Sequence, residues 1–313
     1  MKLSIIIPVY NVEKYILRCI DSCINQHCLD SDYEIIIIDD GSTDNSLSLI
    51  LNKYKNESNV KILTQNNIGL GATRNRGIRE AIGDYIWFVD SDDWIEKNIL
   101  ESILLILDKV YDVIQIPFIK AYDDSKNNEV VIQTTFFVEP KRNISSHMIF
   151  PAQFYIVRRD FLKENNINFV EGIFHEDVEY TPRILYLAKS ISFFYKPAYF
   201  FYKRDNSITT TYNIKRSFDY IKVAHSLDRF SDSFDKEFYS IFSKIIALAI
   251  NNALYNAMNT NLDNRSFYAS LISNKKLFYR MFYSRSVKYI IEGGLFVIFP
   301  KKISFIYQIL NKL

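Results

Sequence analysis

Residues Tyr85–Asp93, YIWFVDSDD, read as a buried strand that ends in three carboxylates within its last four positions. β-Branched and aromatic side chains favour a strand inside a sheet. The carboxylates repel one another, and Mg²⁺ or Mn²⁺ relieves that repulsion, since such a cation takes one or two carboxylates and fills its other positions with phosphate oxygens and water. The stretch therefore indicates a metal site. The alternative is a polar turn that caps a helix over Trp94–Leu107.

A second predicted strand ends in the same way. Residues 34–38, EIIII, lead directly into residues 39–44, DDGSTD. In an open α/β sheet the ligand binds beyond the carboxyl ends of the parallel strands. We therefore expect Asp39–Asp40, Asp90–Asp93 and Tyr10–Asn11, which follows the first strand, to lie along one edge of the sheet.

Strands and helices alternate through this part of the chain. Ile and Val runs mark the strands, and apolar residues at helical spacing mark the helices between them. This alternation is typical of an α/β domain with a mostly parallel sheet covered by helices on both faces. The predicted strands are 3–11, 34–38, 60–63 and 85–89, and the predicted helices are 12–26, 46–54, 72–82 and 94–107.

Glycine-rich phosphate loops are missing from the sequence. There is no Walker A loop, and the dinucleotide fingerprint that Gly69–Gly71 begins has Arg74 at the position of its third glycine. Phosphate charge must then be met by cations, either a metal at Asp90 and Asp92 or basic side chains such as Arg74 and Arg204. The alternative for Arg74 is an exposed arginine on its helix.

Six short motifs follow one another along the chain: SIIIPVYN at 4–11, IDDGSTD at 38–44, NIGL at 67–70, RNRG at 74–77, FVDSDDW at 88–94 and ED at 176–177. In order and spacing they resemble the family 2 glycosyltransferases of the GT-A fold, over about residues 2–211. The resemblance implies a Rossmann-like, mostly parallel sheet between helices, followed by an α-helical C-terminal region. It also implies an inverting hexosyl- or N-acetylhexosaminyltransferase of bacterial surface-polysaccharide synthesis, such as that of lipopolysaccharide or capsule.

The resemblance implies a site for a nucleotide-sugar donor, with UDP as the expected nucleotide. It makes Asp90 and Asp92 a DXD pair, in which Asp92 binds Mn²⁺ or Mg²⁺ directly and Asp90 is shared between the metal and the ribose. The metal would neutralise the leaving nucleoside diphosphate. Asp40 would accept the imide N–H of uracil, and for Asn67 a role in a turn is equally natural. The positions that match the nucleotide-base pocket are Pro8, Tyr10, Asp40, Asn67 and Arg74.

The same resemblance gives a catalytic role to the acidic pair Glu176 and Asp177. Asp177 would be the general base for an acceptor hydroxyl whose oxygen attacks the anomeric carbon from the face opposite the leaving group, so that the configuration inverts. Apart from the resemblance, the pair also fits a helix N-terminus, where the helix dipole favours acids. His175 departs from the aromatic residue or glycine that is frequent before the pair, which leaves the acceptor side open.

Residues 200–209, FFYKRDNSIT, resemble the segment with which the family closes its site. The resemblance implies that Arg204 and Ser207 close over the diphosphate. The alternative is a charged turn after a strand. The Gln-x-x-Arg-Trp motif of processive members is absent, so we expect transfer of one sugar per encounter.

The C-terminal end is basic and apolar. Residues 275–313 carry eight basic residues against one acid, Glu292, although the whole chain has a net charge of only +2. Near the end, Ile303, Ile306, Leu310 and Leu313 are spaced to share a helical face, with lysines at both ends of the helix. Such a helix suits a membrane interface with anionic lipid, and the alternative is a helix packed on its own domain. The chain has no recognised nucleic-acid-binding motif, so nucleic acid is not an expected partner.

These features predict a catalytic domain at residues 1–212, with a nucleotide-sugar half at 1–115 and an acceptor half at 116–212. A helical C-terminal region at 213–313 follows. The three cysteines match no zinc motif and are interpreted as reduced core thiols. The apolar run before Pro8 is too short for a signal peptide, so we expect a cytoplasmic protein at the inner face of the cell membrane.

Two other functions fit parts of the pattern. A nucleotidyltransferase would carry a Gly-rich, Arg-bearing loop after the first strand, where this chain has Pro8-Val9-Tyr10-Asn11. A sugar-nucleotide-binding homologue that acts as a scaffold for glycan assembly would have lost the DXD pair or the base. Because both are present, we expect an enzyme that acts on a glycan or lipid-linked glycan acceptor.

Overall fold

The computed structural model describes residues 1–131, 148–203, 212–260 and 264–310. Within them the chain forms two compact units. The first contains residues 1–131, 149–172 and 183–203. The second contains residues 148, 173–182, 212–260 and 264–310. Glu176 and Asp177 therefore belong to the second unit, together with the helices of the C-terminal region.

Two sheets lie in the first unit. The strands are β1 (Leu3–Val9), β2 (Tyr33–Asp39), β3 (Val60–Thr64), β4 (Tyr85–Phe88), β5 (Trp94–Ile95), β6 (Val113–Gln115), β7 (Phe118–Ala121), β8 (Glu129–Val131), β9 (Tyr155–Arg158), β10 (Ile191–Phe193) and β11 (Tyr199–Tyr202). In the part of the chain that the structure describes, one sheet has seven strands in the order β10-β6-β9-β4-β1-β2-β3. The other has four in the order β5-β11-β7-β8.

The parallel part of the larger sheet confirms the prediction from sequence. Strand β1 pairs in parallel with β2 and β4, and β2 pairs in parallel with β3. Every residue of β1, β2 and β4 is buried, as expected for strands covered on both faces. Val9 is in register with Asp39, so the loops after β1 and β2 leave the sheet side by side. Strand β9 runs antiparallel to both β4 and β6, which makes the sheet mixed.

The helices of the first unit lie between these strands in the sequence. They are α1 (Ile16–Ile24), α2 (Ser46–Tyr54), α3 (Leu70–Glu80), α4 (Leu100–Leu107) and α5 (Arg159–Glu164). Helix α6 (Glu176–Leu187) contributes its last residues to this unit and its first turns to the second. Cys19 and Cys23 are buried free thiols of α1, which confirms the prediction of core thiols for these two residues.

The helix predicted over Trp94–Leu107 is wrong in its first half, because residues 94–95 form β5 and α4 begins only at Leu100. Asp93 does not cap a helix. It is 1% exposed, and its carboxylate accepts hydrogen bonds from the hydroxyl of Tyr199 at 2.6 Å and from the N–H of Tyr202 at 2.8 Å. These contacts with β11 turn the chain into the smaller sheet instead of into a helix.

The smaller sheet is not indicated by the sequence pattern. Its strands β5 and β11 pair antiparallel with Phe200 opposite Trp94, and the two rings stack with centroids 5.1 Å apart and planes 11° apart. The sequence of residues 130–138 is rich in β-branched and aromatic side chains; its first two residues belong to β8, and residues 132–138 lie outside the described residues.

The second unit is helical, as predicted for the C-terminal region. Its helices after α6 are α7 (Ile214–Phe230), α8 (Lys236–Met258), α9 (Arg265–Ser273), α10 (Lys276–Met281), α11 (Val287–Ile298) and α12 (Ile303–Leu310). Ile303, Ile306 and Tyr307 of α12 are buried, and the Tyr307 hydroxyl donates to the carbonyl of Asn251 at 3.1 Å. One face of α12 thus packs within its own unit, while Phe305 is 62% exposed. None of the helices described is both long enough and apolar enough to cross a bilayer.

Candidate active site

The loops that follow β1 and β2 are tied together at the carboxyl edge of the larger sheet. The side-chain oxygen of Asn11 accepts a hydrogen bond from the N–H of Thr43 at 2.7 Å, and the N–H of Asn11 donates to the hydroxyl of Ser42 at 3.1 Å. Tyr10 is 48% exposed at this edge, while Pro8 is buried in β1. The ends of the two strands therefore lie together, as the sequence predicts.

Asp40 organises the loop between β3 and α3. Its carboxylate accepts hydrogen bonds from the side-chain amide of Gln65 at 2.7 Å and from the N–H groups of Ile68 and Gly69, each at 2.9 Å. The residue is only 4% exposed. A carboxylate has about four acceptor positions, so these three contacts leave one for a further donor. Sequence reasoning missed this structural role of Asp40.

Gly41 lets the loop after β2 approach the loop between β3 and α3 closely. Its φ is 72°, and a Cβ at this position would lie 2.9 Å from the backbone nitrogen of Asn67. Glycine is the residue that accepts both conditions. Asn67 itself is exposed, so its side chain lies at the surface of the loop that Asp40 and Gly41 hold in place.

Arg74 is a buried ion-pair partner. Its Nη2 lies 2.7 Å from Asp90 Oδ1, and the side chain is 2% exposed. The guanidinium carbon lies 5.6 Å from the ring centroid of Phe88 and 5.4 Å from that of Phe169, within the range of cation–π attraction. The alternative of an exposed helix arginine is wrong.

Asn75, the residue after Arg74 in the RNRG motif, has a structural role that requires a polar side chain. Its side-chain amide donates to the carbonyl of Phe169 and to the carboxylate of Glu171, both at 2.9 Å. Its oxygen accepts from the N–H of Phe169 at 2.8 Å. Asn75 therefore fixes the segment that carries one of the two rings beside Arg74.

The three carboxylates after β4 have different surroundings. Asp90 pairs with Arg74, and its N–H donates to the hydroxyl of Tyr199 at 3.0 Å. Asp93 points into the interior, where burial and then the charges of Asp92 and Asp90 raise its pKa well above the usual value. Asp92 is half-buried. The cluster thus divides into an inward structural acid and two acids at the edge of the sheet.

The donor set fits a metal whose coordination a phosphate completes. In the described ranges, no group of three or more His, Cys, Asp or Glu side chains is arranged to hold a metal by itself. Asp93 is not available as a ligand, because its carboxylate is bound to β11. Asp90 and Asp92 remain as the two carboxylates that can bind a cation. Mg²⁺ and Mn²⁺ commonly use one or two carboxylates together with substrate phosphates, so the residues present are sufficient for such an ion.

The acidic pair at the start of α6 is held within the second unit. Glu176 is 5% exposed, and Asp177 is half-buried with its Oδ1 accepting from the N–H of Val178 at 2.8 Å. His175, just before the pair, has a φ of 63°. Burial, followed by the positive charge of Arg216, lowers the pKa of His175 to about 4. Sequence reasoning missed Arg216, since no local signal connects it with a loop forty-one positions away.

Two predicted site residues cannot be placed. Arg204 and Ser207 lie in residues 204–211, outside the described residues. The remaining predicted residues of the nucleotide side belong to the first unit, and the acidic pair belongs to the second.

A family model for glycosyl transferase family 2 matches residues 4–167, more than half of the chain. The chain belongs to glycosyl transferase family 2. Among curated relatives, this family 2 glycosyltransferase is 29% identical over 252 residues to the uncharacterized glycosyltransferase YibD of Escherichia coli (strain K12), which covers 74% of this chain and 72% of YibD.

A second relative is the poly(ribitol-phosphate) beta-N-acetylglucosaminyltransferase TarS of Staphylococcus aureus (strain MW2). The identity is 32% over 209 residues, covering 64% of this chain and 35% of TarS. The chain thus spans about a third of the length of TarS.

Solved structures agree on the fold of this glycosyltransferase. The crystal structure of S. aureus TarS 1–349 in complex with UDP-GlcNAc has a TM-score of 0.69 at 24% identity, and the match covers 98% of this chain and 89% of that one. The mannosyltransferase PcManGT from Pyrobaculum calidifontis, in complex with GDP-Man and Mn²⁺, has a TM-score of 0.53 at 12% identity, with coverages of 96% and 88%. The fold is GT-A-like, as predicted.

Proposed function

We propose that this chain is an inverting, metal-dependent glycosyltransferase of surface-polysaccharide synthesis. It moves one sugar per encounter from a UDP donor to a hydroxyl of a glycan or lipid-linked glycan. The observation that carries the proposal is the buried pairing of Arg74 with Asp90 at the carboxyl edge of the sheet. This contact fixes one carboxylate of the DXD pair before any ligand binds, and such preorganisation is what charge stabilisation in a transition state requires.

The nucleotide pocket is proposed to consist of Pro8, Tyr10, Asp40, Asn67 and Arg74. The exposed ring of Tyr10 suits stacking on a base. The fourth acceptor position of Asp40 suits the imide N–H of uracil, which favours uridine as the nucleoside. The complex of TarS with UDP-GlcNAc supports this choice of donor.

The residues proposed to hold Mn²⁺ or Mg²⁺ are Asp92, as the direct ligand, and Asp90, which would also contact the ribose. The cation would supply the positive charge that stabilises the leaving nucleoside diphosphate. Arg74 orients the Asp90 carboxylate from the interior. The complex of PcManGT with Mn²⁺ supports a metal in this fold. Arg204 and Ser207 are proposed, from their motif alone, to close over the diphosphate.

Asp177 is proposed as the general base, with Glu176 as its catalytic neighbour. Asp177 takes the proton of the acceptor hydroxyl while the acceptor oxygen forms its bond to the anomeric carbon. On the opposite face the bond to the diphosphate breaks, so the configuration inverts. The half-buried position of Asp177 at the first turn of α6 suits this role, since the group is fixed yet reachable.

We also propose that residues 275–313 contact the inner face of the cell membrane, where a lipid-linked acceptor would lie. Several apolar side chains of α11 and α12 stay exposed, with Val287 at 73%, Ile291 at 49% and Phe305 at 62%. Lys301 and Lys302 are exposed between them in the sequence. Apolar and basic groups together suit anionic headgroups. In this proposal residues 1–212 form the catalytic domain and residues 213–313 form the helical C-terminal region, of which only the basic end at 275–313 contacts the membrane.

The test measures UDP release from a panel of UDP-sugars that includes UDP-GlcNAc and UDP-glucose, with Mn²⁺ and with poly(ribitol phosphate) or lipid-linked glycan as acceptor. Turnover that EDTA abolishes and that Asp92→Ala lacks supports the proposal. Calorimetry that finds undiminished, EDTA-insensitive UDP affinity in Asp92→Ala contradicts the metal assignment. UDP binding without turnover for any donor and acceptor favours the alternative, a sugar-nucleotide-binding scaffold.

A further inference from the structure

The loop before α6 has a backbone conformation that its surroundings must impose. His175 precedes Glu176 and Asp177 directly, and its φ of 63° lies in the left-handed region. Residues other than glycine rarely adopt that region, and they stay in it where contacts with neighbouring residues hold the backbone there. For His175 those contacts come from α7.

Arg216, Asp219 and Tyr220 of α7 reach this loop, and their spacing of three and four positions places them on one helix face. Arg216 donates from Nε to Nε2 of His175 at 3.1 Å. The ring of Tyr220 stacks on the imidazole with centroids 3.9 Å apart and planes 13° apart. Asp219 accepts from the N–H of Phe174 at 3.1 Å. The loop is therefore held by both its backbone and its histidine side chain.

The hydrogen bond from Arg216 favours the neutral form of His175. Because Nε2 is the acceptor, it carries no proton, and the neutral ring has its proton on Nδ1. The low pKa of His175, caused first by burial and then by Arg216, agrees with this geometry. His175 thus acts as a neutral aromatic contact and hydrogen-bond acceptor, and not as a general acid or base.

Asp219 is charged and fully buried. It is 0% exposed and pairs with Lys215 at 2.6 Å and with Lys222 at 2.8 Å. Burial by itself would raise the pKa of Asp219, but the hydrogen bonds from Lys215, Lys222 and the N–H of Phe174 outweigh burial and lower it. A carboxylate fixed on three sides is a rigid anchor for the loop backbone.

Tyr220 also interacts electrostatically with Asp177, the candidate base. Burial raises the pKa of Tyr220 to about 12, and the negative charge of Asp177 contributes to the increase. The phenol therefore stays protonated, and the same helix face that holds His175 lies within the electrostatic reach of Asp177.

We infer that Arg216, Asp219 and Tyr220 are positioning residues for glycosyl transfer, which hold the loop around His175 so that Asp177 keeps the geometry of a general base. The inference rests on the proposed role of Asp177. Helix α7 lies beyond residue 167, where the match to the family model ends. Helix α7 of the C-terminal region would therefore support the catalytic loop. A displacement of about 1 Å in such a group is enough to cost about a hundredfold in rate.

The experiment compares Arg216→Met, His175→Gly and His175→Gln with the wild type. Glycine accepts the left-handed backbone but removes the imidazole, and glutamine keeps an acceptor for Arg216. Arg229→Met is the matched control, since Arg229 is exposed near the end of the same helix. The measurements are kcat and KM from UDP release with UDP-GlcNAc or another turned-over UDP-sugar, UDP affinity by calorimetry, and hydrogen exchange in residues 172–178.

The inference predicts that kcat falls about tenfold or more in Arg216→Met and His175→Gly, that donor KM and UDP affinity stay within about twofold, and that exchange in residues 172–178 rises. His175→Gln should have a higher kcat than His175→Gly, and Arg229→Met should have the kcat of the wild type. Unchanged kcat or unchanged exchange in the first two variants overturns the inference. A parallel loss of kcat, UDP affinity and melting temperature also overturns it, since that is a general loss of structure. A wild type that turns over no UDP-sugar instead contradicts the proposed function, and hydrogen exchange still decides whether α7 holds the loop.

Discussion

The guanidinium of Arg74 reaches the carboxylate of Asp90 at 2.7 Å from a position that is 2% exposed, while Asp90 itself is 24% exposed. The arginine is thus an internal support for an acid at the surface of the site. Loss of one partner from such a pair leaves a charge without compensation in the interior.

Arg74→Met is expected to lower the free energy of unfolding by about 2 kcal/mol, less than for a fully buried pair because Asp90 keeps contact with water. UDP affinity should fall as well, since Asp90 loses its orientation. Urea unfolding and calorimetry measure the two effects. Arg79→Met is the control, because Arg79 is exposed on the same helix. Equal stability and UDP affinity in the two variants would contradict the supporting role of Arg74.

Tyr199→Phe is expected to destabilise the turn after β4. The hydroxyl donates to the buried Asp93 at 2.6 Å and accepts from the N–H of Asp90 at 3.0 Å. Its removal leaves a buried carboxylate short of a donor, at a cost of about 2 kcal/mol. Tyr199→Phe should therefore have a lower melting temperature than the control Tyr195→Phe, because Tyr195 is 67% exposed. Indistinguishable unfolding of the two variants would refute the link between Asp93 and β11.

Much of the first unit follows from local patterns. Helix α2 has the predicted bounds of 46–54, and β1 and β2 begin within one residue of the predicted positions. Because parallel strands that are buried on both faces read as continuous apolar runs, their ends and the acids after them were predictable. The shared edge follows from topology, since Val9 and Asp39 are in register.

Contacts between distant residues were not predictable in the same way. The turn of the chain at Asp93 depends on Tyr199, more than a hundred positions later. Strand β9 lies antiparallel between β4 and β6. Its own four residues do not specify which strands it pairs with. Similarly, Arg216 reads as an ordinary helix arginine until the fold brings it to His175. Periodicity reports burial along one element, and it carries no information about which element provides the partner.

His175 should make unfolding depend on pH. Its folded pKa of about 4 lies below the ordinary value of 6.5, so the unfolded chain binds the extra proton between these values. Stability that is present above pH 6.5 is therefore lost as the pH falls toward 4, with about 2 kcal/mol lost between pH 7 and pH 5. Urea unfolding at both pH values measures this change.

The change between the two pH values should be smaller in His175→Gln by that amount, even if the variant is less stable at both. Arg216 and Asp219 are the charged groups that face the imidazole, and both remain in the variant. His27→Gln, at an exposed histidine, is the control. If His175→Gln has the same pH dependence as the wild type, the neutral state of His175 is not supported.

Removal of the exposed apolar groups of α12 should weaken membrane binding. Phe305 is 62% exposed and Ile309 is 47% exposed, so Phe305→Ser with Ile309→Ser removes apolar surface that largely faces solvent. The binding constant for vesicles of anionic lipid, measured by flotation over a range of lipid concentrations, should then fall by about tenfold or more, since each buried apolar group contributes about 1 to 3 kcal/mol. The control is Ile82→Ser with Leu105→Ser, which are 60% and 66% exposed elsewhere. Equal flotation of both double variants would remove the membrane proposal.

The most direct test of glycosyl transfer is UDP release by Asp177→Asn, measured with Mn²⁺ and the UDP-sugar and acceptor that the wild type uses. The substitution keeps the shape of the side chain and removes its basicity. The predicted result is a loss of kcat of about a hundredfold or more, with UDP affinity unchanged. A variant that retains the wild-type rate would contradict Asp177 as the base and, with it, the proposed mechanism.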